Sequence, residues 1–174
     1  MKRLAFLSFT FATLVAPIQV QAQQYPVQQN AISAGPARDL SAFVKHWETF
    51  QPRAFQDNIG YGTRPHPGET SISEREAARR LDEELARDRA EIERLNPRLP
   101  EGAKKALTSL LYNLAGDVNK LKEHGMANAI ARGDVEAMKK AHVEFSHIYG
   151  PVEPGLRDRR MDELGFYNES GGGA

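Results

Sequence analysis

A long charged segment between Ser73 and Pro97 constrains the fold of this chain more than any other feature. Ser73 and Glu76 have the spacing of a capping box at a helix N-terminus, and Pro97 ends the helical pattern. We expect one helix of about 22 residues, roughly 33 Å long, which could join two lobes. Its charged side chains are expected to form a solvated outer face. Its inward apolar residues are Ala78, Leu81, Leu85, Ile92 and Leu95.

The rest of residues 39–167 shows a mostly helical pattern, with one irregular stretch near its start. A first helix starts at Asp39 or Ser41, carries an apolar stripe at helical spacing and is ended by Pro52. Residues 101–115 are apolar around much of the helix circumference, which is typical of a helix buried among others. The other predicted elements are helices over residues 126–131, 134–148 and 156–164 and a strand-like stretch at residues 59–62. The chain is therefore predicted to be mainly α.

Composition excludes several classes of protein. The 174 residues contain 23 basic and 23 acidic side chains, which argues against a protein that neutralises nucleic-acid phosphates. The absence of cysteine excludes disulfides, thiolate catalysis and Cys-ligated metals. His142 and His147 do not have the spacing of a metal-binding motif, and the sequence has no P-loop or GxSxG motif. We expect neither a metal nor a cofactor.

The N-terminal residues have the pattern of a secretory signal. Lys2 and Arg3 precede an apolar run, and small residues at Val20 and Ala22 fit a signal-peptidase site. The run of about 15 apolar residues is short for a membrane span, which needs roughly 20. We therefore predict cleavage after Ala22 and a periplasmic or secreted protein without a stable membrane span; an uncleaved anchor is the alternative. The predicted regions are a signal peptide (1–22), a flexible Gln- and Pro-containing leader (23–38), the domain (39–167) and a disordered tail (168–174).

Glu48 is the candidate catalytic residue that the local sequence indicates. It follows the apolar residue Trp47 in the last turn of the first helix, where partial burial and the negative helix end both disfavour a carboxylate. A glycosidase needs a carboxyl that keeps its proton near neutral pH, so that it can protonate a leaving glycosidic oxygen. Asp57, nine residues later in a Gly-flanked loop, is a candidate partner that stays ionised. An ordinary exposed glutamate at a helix end is the alternative.

Further motifs follow Glu48 and Asp57 in a fixed order. The first is Ile-Gly-Tyr-Gly-Thr at residues 59–63, ahead of the long capped helix. The second is the apolar run ALTSLLYNLAG at residues 106–116, and the third is PGLRDRRMDE at residues 154–163. Together they resemble the phage-type lysozymes, or endolysins, of glycoside hydrolase family 24. The resemblance extends over nearly the whole predicted domain.

This resemblance implies a lysozyme-like α+β fold with a small N-terminal lobe, a reduced β or loop element, a long linking helix and a helical C-terminal lobe. It also implies hydrolysis of the β-1,4 bond between N-acetylmuramic acid and N-acetylglucosamine in peptidoglycan glycan strands, without cofactor, by a monomer. Glu48 would be the general acid, and Asp57 would position water or stabilise positive charge on the sugar. Arg159 or Arg160 would hold Glu48 or its lobe. The remaining substrate-binding or supporting candidates are Tyr61, Thr63 and Asn113.

The chain departs from the family between Asp57 and Ile59. The family has several residues between this aspartate and a threonine, whereas Asp57 is followed here directly by Asn58. Asn58 is therefore a third catalytic candidate, since its amide could orient a water. Adjacent residues of an extended strand point to opposite faces, so both reach one cleft only if the backbone bends.

Three interpretations follow from this departure. The first is an active exported muramidase that serves wall remodelling, secretion or lysis. The second is a non-catalytic, lysozyme-like peptidoglycan-binding or secretion-accessory protein that has lost catalysis with its shortened loop. The third is a small secreted helical protein without affinity for the wall.

Overall fold

The computed structural model describes residues 39–147 and 154–169. The predicted signal peptide and leader lie outside the described residues, as does the tail from residue 170 onward. In the part of the chain that is described, no helix is long and apolar enough to cross a membrane. The elements are α1 (Leu40–Glu48), β1 (Gln51–Phe55), β2 (Asn58–Gly60), α2 (Glu74–Leu95), α3 (Glu101–Asn113), α4 (Met126–Arg132), α5 (Val135–Glu144) and α6 (Pro154–Tyr167), with 3₁₀ segments at Val118–Gly125 and Phe145–His147.

Helix α1 is short, and its end places Glu48. The helix begins because the Asp39 carboxylate accepts a hydrogen bond from the Ala42 backbone N–H at 3.1 Å. It ends at Glu48 because Thr49 adopts a φ of 52°, which no helix can continue. The predicted end at Pro52 was wrong, since Pro52 already belongs to β1. Glu48 is therefore the last helical residue, directly before the chain turns into the hairpin.

Strands β1 and β2 form an antiparallel hairpin with a two-residue turn. The turn residues Gln56 and Asp57 have φ values of 48° and 65°, the left-handed pair of a type I′ turn. Strand β2 and the residues after it were expected from the sequence, but β1 was missed. Every residue of β1 is exposed, so its sequence lacks the alternation of apolar and polar residues that reveals a half-buried strand.

Helix α2 confirms the predicted long helix at both ends. It spans 22 residues, and the Ser73 Oγ accepts a hydrogen bond from the Glu76 backbone N–H at 3.3 Å. The predicted inward side is largely buried. Leu95 is 47% exposed, however, so its assignment to the inward side was wrong. Asp88 is only 7% exposed and lies among the buried residues of the helix. The prediction of a wholly solvated charged face fails at this position.

Helix α3 forms the centre of the fold, as its sequence predicted. It packs against α2 on one side and α6 on the other, and its buried residues cover most of its circumference. The approach to α6 is close at Gly102, where an added Cβ would lie 2.0 Å from the backbone oxygen of Phe166. Only glycine fits at this crossing. The mainly α prediction with a small β element is confirmed.

The C-terminal elements agree with the predicted helices in place but not in length. Helix α5 ends at Glu144, where a 3₁₀ segment takes over, and α6 is longer than the predicted stretch of residues 156–164. The 3₁₀ segment Val118–Gly125 was not predicted. The first two residues of the expected tail are part of the described chain, and there Glu169 Oε2 lies 2.9 Å from Lys105 Nζ.

Candidate active site

The Glu48 carboxyl is held by an arginine from the far end of the chain. Arg159 Nη1 of α6 donates a hydrogen bond to Glu48 Oε1 at 2.6 Å. The Arg159 side chain is 5% exposed and that of Glu48 is 20% exposed, so the bond forms at the boundary between the protein interior and solvent. It fixes one oxygen of the carboxyl. The local pattern around Glu48 indicated only burial and the helix end, and an arginine contact was implied by the family resemblance alone.

The second oxygen of Glu48 lies beside Gly62. A Cβ added at Gly62 would come within 3.0 Å of Glu48 Oε2 and 3.7 Å of the Tyr112 hydroxyl. Gly62 also has a φ of 91°, which residues with a side chain rarely adopt. The backbone therefore passes close to Oε2 without covering it with a side chain.

Asp57 and Asn58 both line the same pocket as Glu48. For adjacent residues this requires a backbone bend, and the left-handed turn at Asp57 provides it. Asp57 belongs to the turn and Asn58 begins β2, so the alternation rule for extended residues does not apply between them. The shortened loop thus brings an exposed carboxyl and an exposed amide to the pocket next to each other.

The pocket is a cleft of about 580 Å³ with a predominantly polar and charged lining. Helix α3 supplies Tyr112, whose hydroxyl donates a hydrogen bond to the Tyr61 carbonyl at 2.6 Å and so fixes the chain just before Gly62. Burial raises the pKa of the Tyr112 hydroxyl, which therefore stays a donor. The lining residues are Glu48, Asp57, Asn58, Gly62, Arg64, Glu84, Arg87, Asp88, Tyr112, Asn113, Ala115 and Gly116.

Glu163 anchors Arg159 from inside the helical lobe. Glu163 is fully buried, and its Oε1 accepts hydrogen bonds from Ser109 Oγ at 2.6 Å and Arg159 Nε at 3.2 Å. Its Oε2 lies 3.0 Å from Arg160 Nε. Although burial opposes ionisation, Arg160 and the other donors around Glu163 lower its pKa to about 2. A buried carboxylate thus holds both arginines of the closing helix.

His142 completes the buried cluster. Its Nε2 lies 2.7 Å from Glu163 Oε2, and its Nδ1 lies 3.2 Å from the Tyr167 hydroxyl. Burial lowers the pKa of His142, so the imidazole is neutral near pH 7. Since the ionised Glu163 only accepts hydrogen bonds, Nε2 carries the proton and Nδ1 accepts from Tyr167. The histidine is a structural donor rather than a metal ligand.

The other predicted site residues lie around the cleft rather than in it, with one exception. Tyr61 donates a hydrogen bond to Glu74 at 2.9 Å, and the Thr63 hydroxyl donates to the Ile59 carbonyl at 3.1 Å. Both residues are buried and stabilise the hairpin region. Asn113 lines the pocket, and its Oδ1 accepts a hydrogen bond from Arg160 Nη2 at 3.0 Å. These positions favour supporting roles for Tyr61, Thr63 and Arg160.

Helix α2 forms one wall of the cleft, which was not predicted from the sequence. Glu84, Arg87 and Asp88 were assigned to the solvated face of the long helix, yet all of them line the pocket. A signal for Asp88 was present, because it follows Leu85 at three residues and precedes Ile92 at four, which is the spacing of the apolar stripe. A charged residue on such a stripe is a candidate for a buried functional group.

The arrangement can perform acid chemistry on a ligand in the cleft. Glu48 presents one carboxyl oxygen while Arg159 holds the other, and Asp57 and Asn58 offer a second carboxyl and an amide. A pair of carboxyl groups around a cleft is the arrangement that glycoside hydrolysis uses. Within residues 39–147 and 154–169, no group of three or more His, Cys, Asp or Glu side chains could hold a metal ion.

The structure has a carboxyl-lined cleft beside a small hairpin, a long linking helix and a helical lobe. These features define a lysozyme-like protein. The sequence matches the family described as phage lysozyme over residues 45–163. The chain therefore belongs to the phage lysozyme family. No curated protein matches the sequence.

Solved structures of the same fold include two phage enzymes and one bacterial domain. The endolysin from Escherichia coli O157:H7 phage FAHEc1 is 18% identical, with a TM-score of 0.64 over 78% of this chain and 95% of its own. The muramidase domain of SpmX from Asticaccaulis excentricus is 18% identical, with a TM-score of 0.67 over 76% and 97%. The active form of P1 phage endolysin Lyz is 19% identical, with a TM-score of 0.60 over 77% and 88%. These similarities show a shared fold.

Proposed function

We propose that the protein is an exported peptidoglycan muramidase. It hydrolyses the β-1,4 bond between N-acetylmuramic acid and N-acetylglucosamine, with Glu48 as the general acid. The observation that carries this proposal is the Glu48 carboxyl, which is bonded to Arg159 through Oε1 and lies in a cleft together with Asp57. Membership of the phage lysozyme family and the likeness to a muramidase domain support the same activity.

In the proposed reaction, Glu48 acts on the oxygen that leaves, and the hairpin residues act on the sugar from which it leaves. Glu48 transfers a proton to the glycosidic oxygen, which leaves with the bonding electron pair as a sugar hydroxyl. Positive charge develops on the other sugar ring, where the Asp57 carboxylate stabilises it or directs a water molecule. The water adds its hydroxyl to the anomeric carbon, and the proton that it releases returns to the Glu48 carboxylate, which restores the acid. Arg159 keeps Glu48 in one orientation throughout.

Export follows from the location of the substrate. Peptidoglycan lies outside the cytoplasmic membrane, and the first residues have the basic and apolar pattern of a secretory signal. We therefore place the enzyme in the periplasm or outside the cell. N-terminal sequencing of the secreted chain tests this, because removal of the signal leaves Gln23 as the first residue and retention leaves Met1.

Asp57 and Asn58 are expected to contribute unequally to catalysis. Asp57→Asn removes the only charge on the hairpin turn and is expected to slow clearing of a peptidoglycan suspension by about 100-fold, which is typical of a lost catalytic carboxyl. Asn58→Ala keeps that charge and is expected to slow clearing by about 10-fold or less. Initial turbidity rates with the chain from residue 23 onward measure both. A larger loss for Asn58→Ala than for Asp57→Asn would assign the water-handling role to Asn58 instead.

A further inference from the structure

Asp88 is a nearly buried carboxyl that faces the cleft. It is 7% exposed, lies on the buried side of α2 and lines the pocket that contains Glu48. A Cβ added at Gly116 would lie 3.3 Å from Asp88 Oδ1. Because Gly116 has no side chain, the approach to this carboxyl from the end of α3 stays open. A group bound in the cleft could therefore reach it.

Asp88 has no partner among the described residues. Neither a hydrogen bond nor an ion pair satisfies its carboxyl there, whereas Glu163 and Glu48 are both bonded. The Asp88 oxygens are not among the fully buried polar atoms that lack a partner, so water reaches them from the cleft, and a bound ligand would replace that water. The position of Asp88 in the cleft wall favours the glycan as that ligand.

Burial keeps a substantial part of the Asp88 carboxyl protonated at pH 7 and most of it protonated at pH 6. It raises the pKa of Asp88 to about 7, and the nearby Glu84 carboxylate raises it further than Arg87 lowers it. The charged and titratable groups that face Asp88 are Glu84, Arg87 and Glu91 on its own helix and Tyr112 on α3. The other charged residues of the cleft are Glu48, Asp57 and Arg64. None of the cations in these sets forms an ion pair with Asp88.

We propose that Asp88 is a substrate-positioning residue whose carboxyl O–H donates a hydrogen bond to a hydroxyl or acetamido oxygen of the glycan in the cleft. This inference rests on the proposed function, since it names the wall that holds the same substrate. The role needs the neutral form, because an ionised Asp88 cannot donate and adds a second negative charge next to Glu84. Glycan affinity is therefore highest below pH 7 and falls as the pH rises through 7.

The test measures glycan binding separately from cleavage. A soluble tetrasaccharide of alternating N-acetylglucosamine and N-acetylmuramic acid is titrated into the secreted protein by calorimetry, in a Glu48→Gln background that prevents hydrolysis. From pH 6 to pH 8.5 the Kd is expected to rise about tenfold. Asp88→Ala should weaken binding about tenfold at pH 6, because the donor is lost.

Asp88→Asn distinguishes positioning from a structural role. Its amide has nearly the same shape and donates hydrogen bonds at every pH, so it should restore affinity at pH 6 and remove the pH dependence. Glu83→Gln is the matched control, since Glu83 is an exposed carboxyl on the same helix and pairs with Arg79; it should leave Kd and its pH profile unchanged. Melting temperatures of all variants identify any loss of folding.

The outcomes separate this inference from the proposed function. Unchanged affinity in Asp88→Ala, or a retained pH dependence in Asp88→Asn, would overturn the role of Asp88. Binding with the predicted Asp88 dependence, but without wall cleavage by the unsubstituted enzyme, would support Asp88 and contradict the muramidase activity. If the tetrasaccharide does not bind at all, the role of Asp88 is overturned, while cleavage of wall by the unsubstituted enzyme still decides the muramidase activity.

Discussion

Replacing Glu48 by Gln is expected to lower the rate of peptidoglycan hydrolysis by at least about 1,000-fold, near the limit of detection. The amide has nearly the shape of the carboxyl and can still accept the hydrogen bond from Arg159 through Oε1. It cannot donate a proton to the leaving glycosidic oxygen. The loss should therefore fall on kcat, while KM and the circular dichroism spectrum stay close to those of the unsubstituted enzyme.

Glu83→Gln provides the control for the change of carboxyl to amide. Glu83 is exposed on α2 and pairs with Arg79, so this variant should clear a wall suspension at the original rate. Full activity in Glu48→Gln would show that Glu48 is not the general acid. A loss that came with an altered spectrum would instead show that Glu48 serves the fold.

The second large effect is expected at Glu163. Glu163→Gln leaves the buried Arg159 and Arg160 without their common counter-charge, and breaking a buried ion pair from one side typically costs about 3–5 kcal/mol. Urea unfolding near pH 7 should show a decrease of this size in the free energy of unfolding. Because Arg159 also loses the buried negative charge that helps to orient it toward Glu48, kcat should fall while the folded fraction still binds glycan.

The pH dependence of stability provides a second measurement at the same site. The pKa of Glu163 is lowered from 4.5 to about 2 in the folded protein. The contribution of the ionised Glu163 to the free energy of unfolding is therefore complete above about pH 4.5, and it is lost as the pH falls toward 2. The stability difference between the unsubstituted protein and Glu163→Gln should narrow over this range.

An exposed carboxyl gives the matched control for Glu163. Glu136 on α5 is 77% exposed and pairs with Lys139, and surface pairs of this kind contribute little. Glu136→Gln should unfold at nearly the same urea concentration as the unsubstituted protein. An equal, small effect of both substitutions would contradict the anchoring role of the buried cluster.

Local patterns in the sequence were enough to predict the helices. The capping residues and apolar periodicity of α2 lie within one continuous segment, so its start and length could be derived directly. Strand β1 could not be predicted, because its residues are all exposed and its pairing with β2 depends on the turn. The end of α1 was also misplaced, because the positive φ of Thr49 follows from the hairpin rather than from a helix-breaking residue.

The candidate site depends on contacts that no local pattern contains. Glu48 and Arg159 are 111 residues apart in sequence, and the resemblance alone offered either Arg159 or Arg160 as the partner. In the structure Arg159 contacts Glu48, while Arg160 contacts Asn113. Asp88 is different, because its place on the apolar stripe of α2 is visible in the sequence, although it was assigned to the solvated face of the helix.

Release of reducing ends from purified peptidoglycan tests the central claim most directly. The chain from residue 23 onward should generate new reducing ends in proportion to time and to enzyme concentration. Mass spectrometry should find N-acetylmuramic acid at those ends. Glu48→Gln should generate almost none under the same conditions. Wall binding without new reducing ends would contradict a muramidase and favour a lysozyme-like protein that binds peptidoglycan without cleaving it.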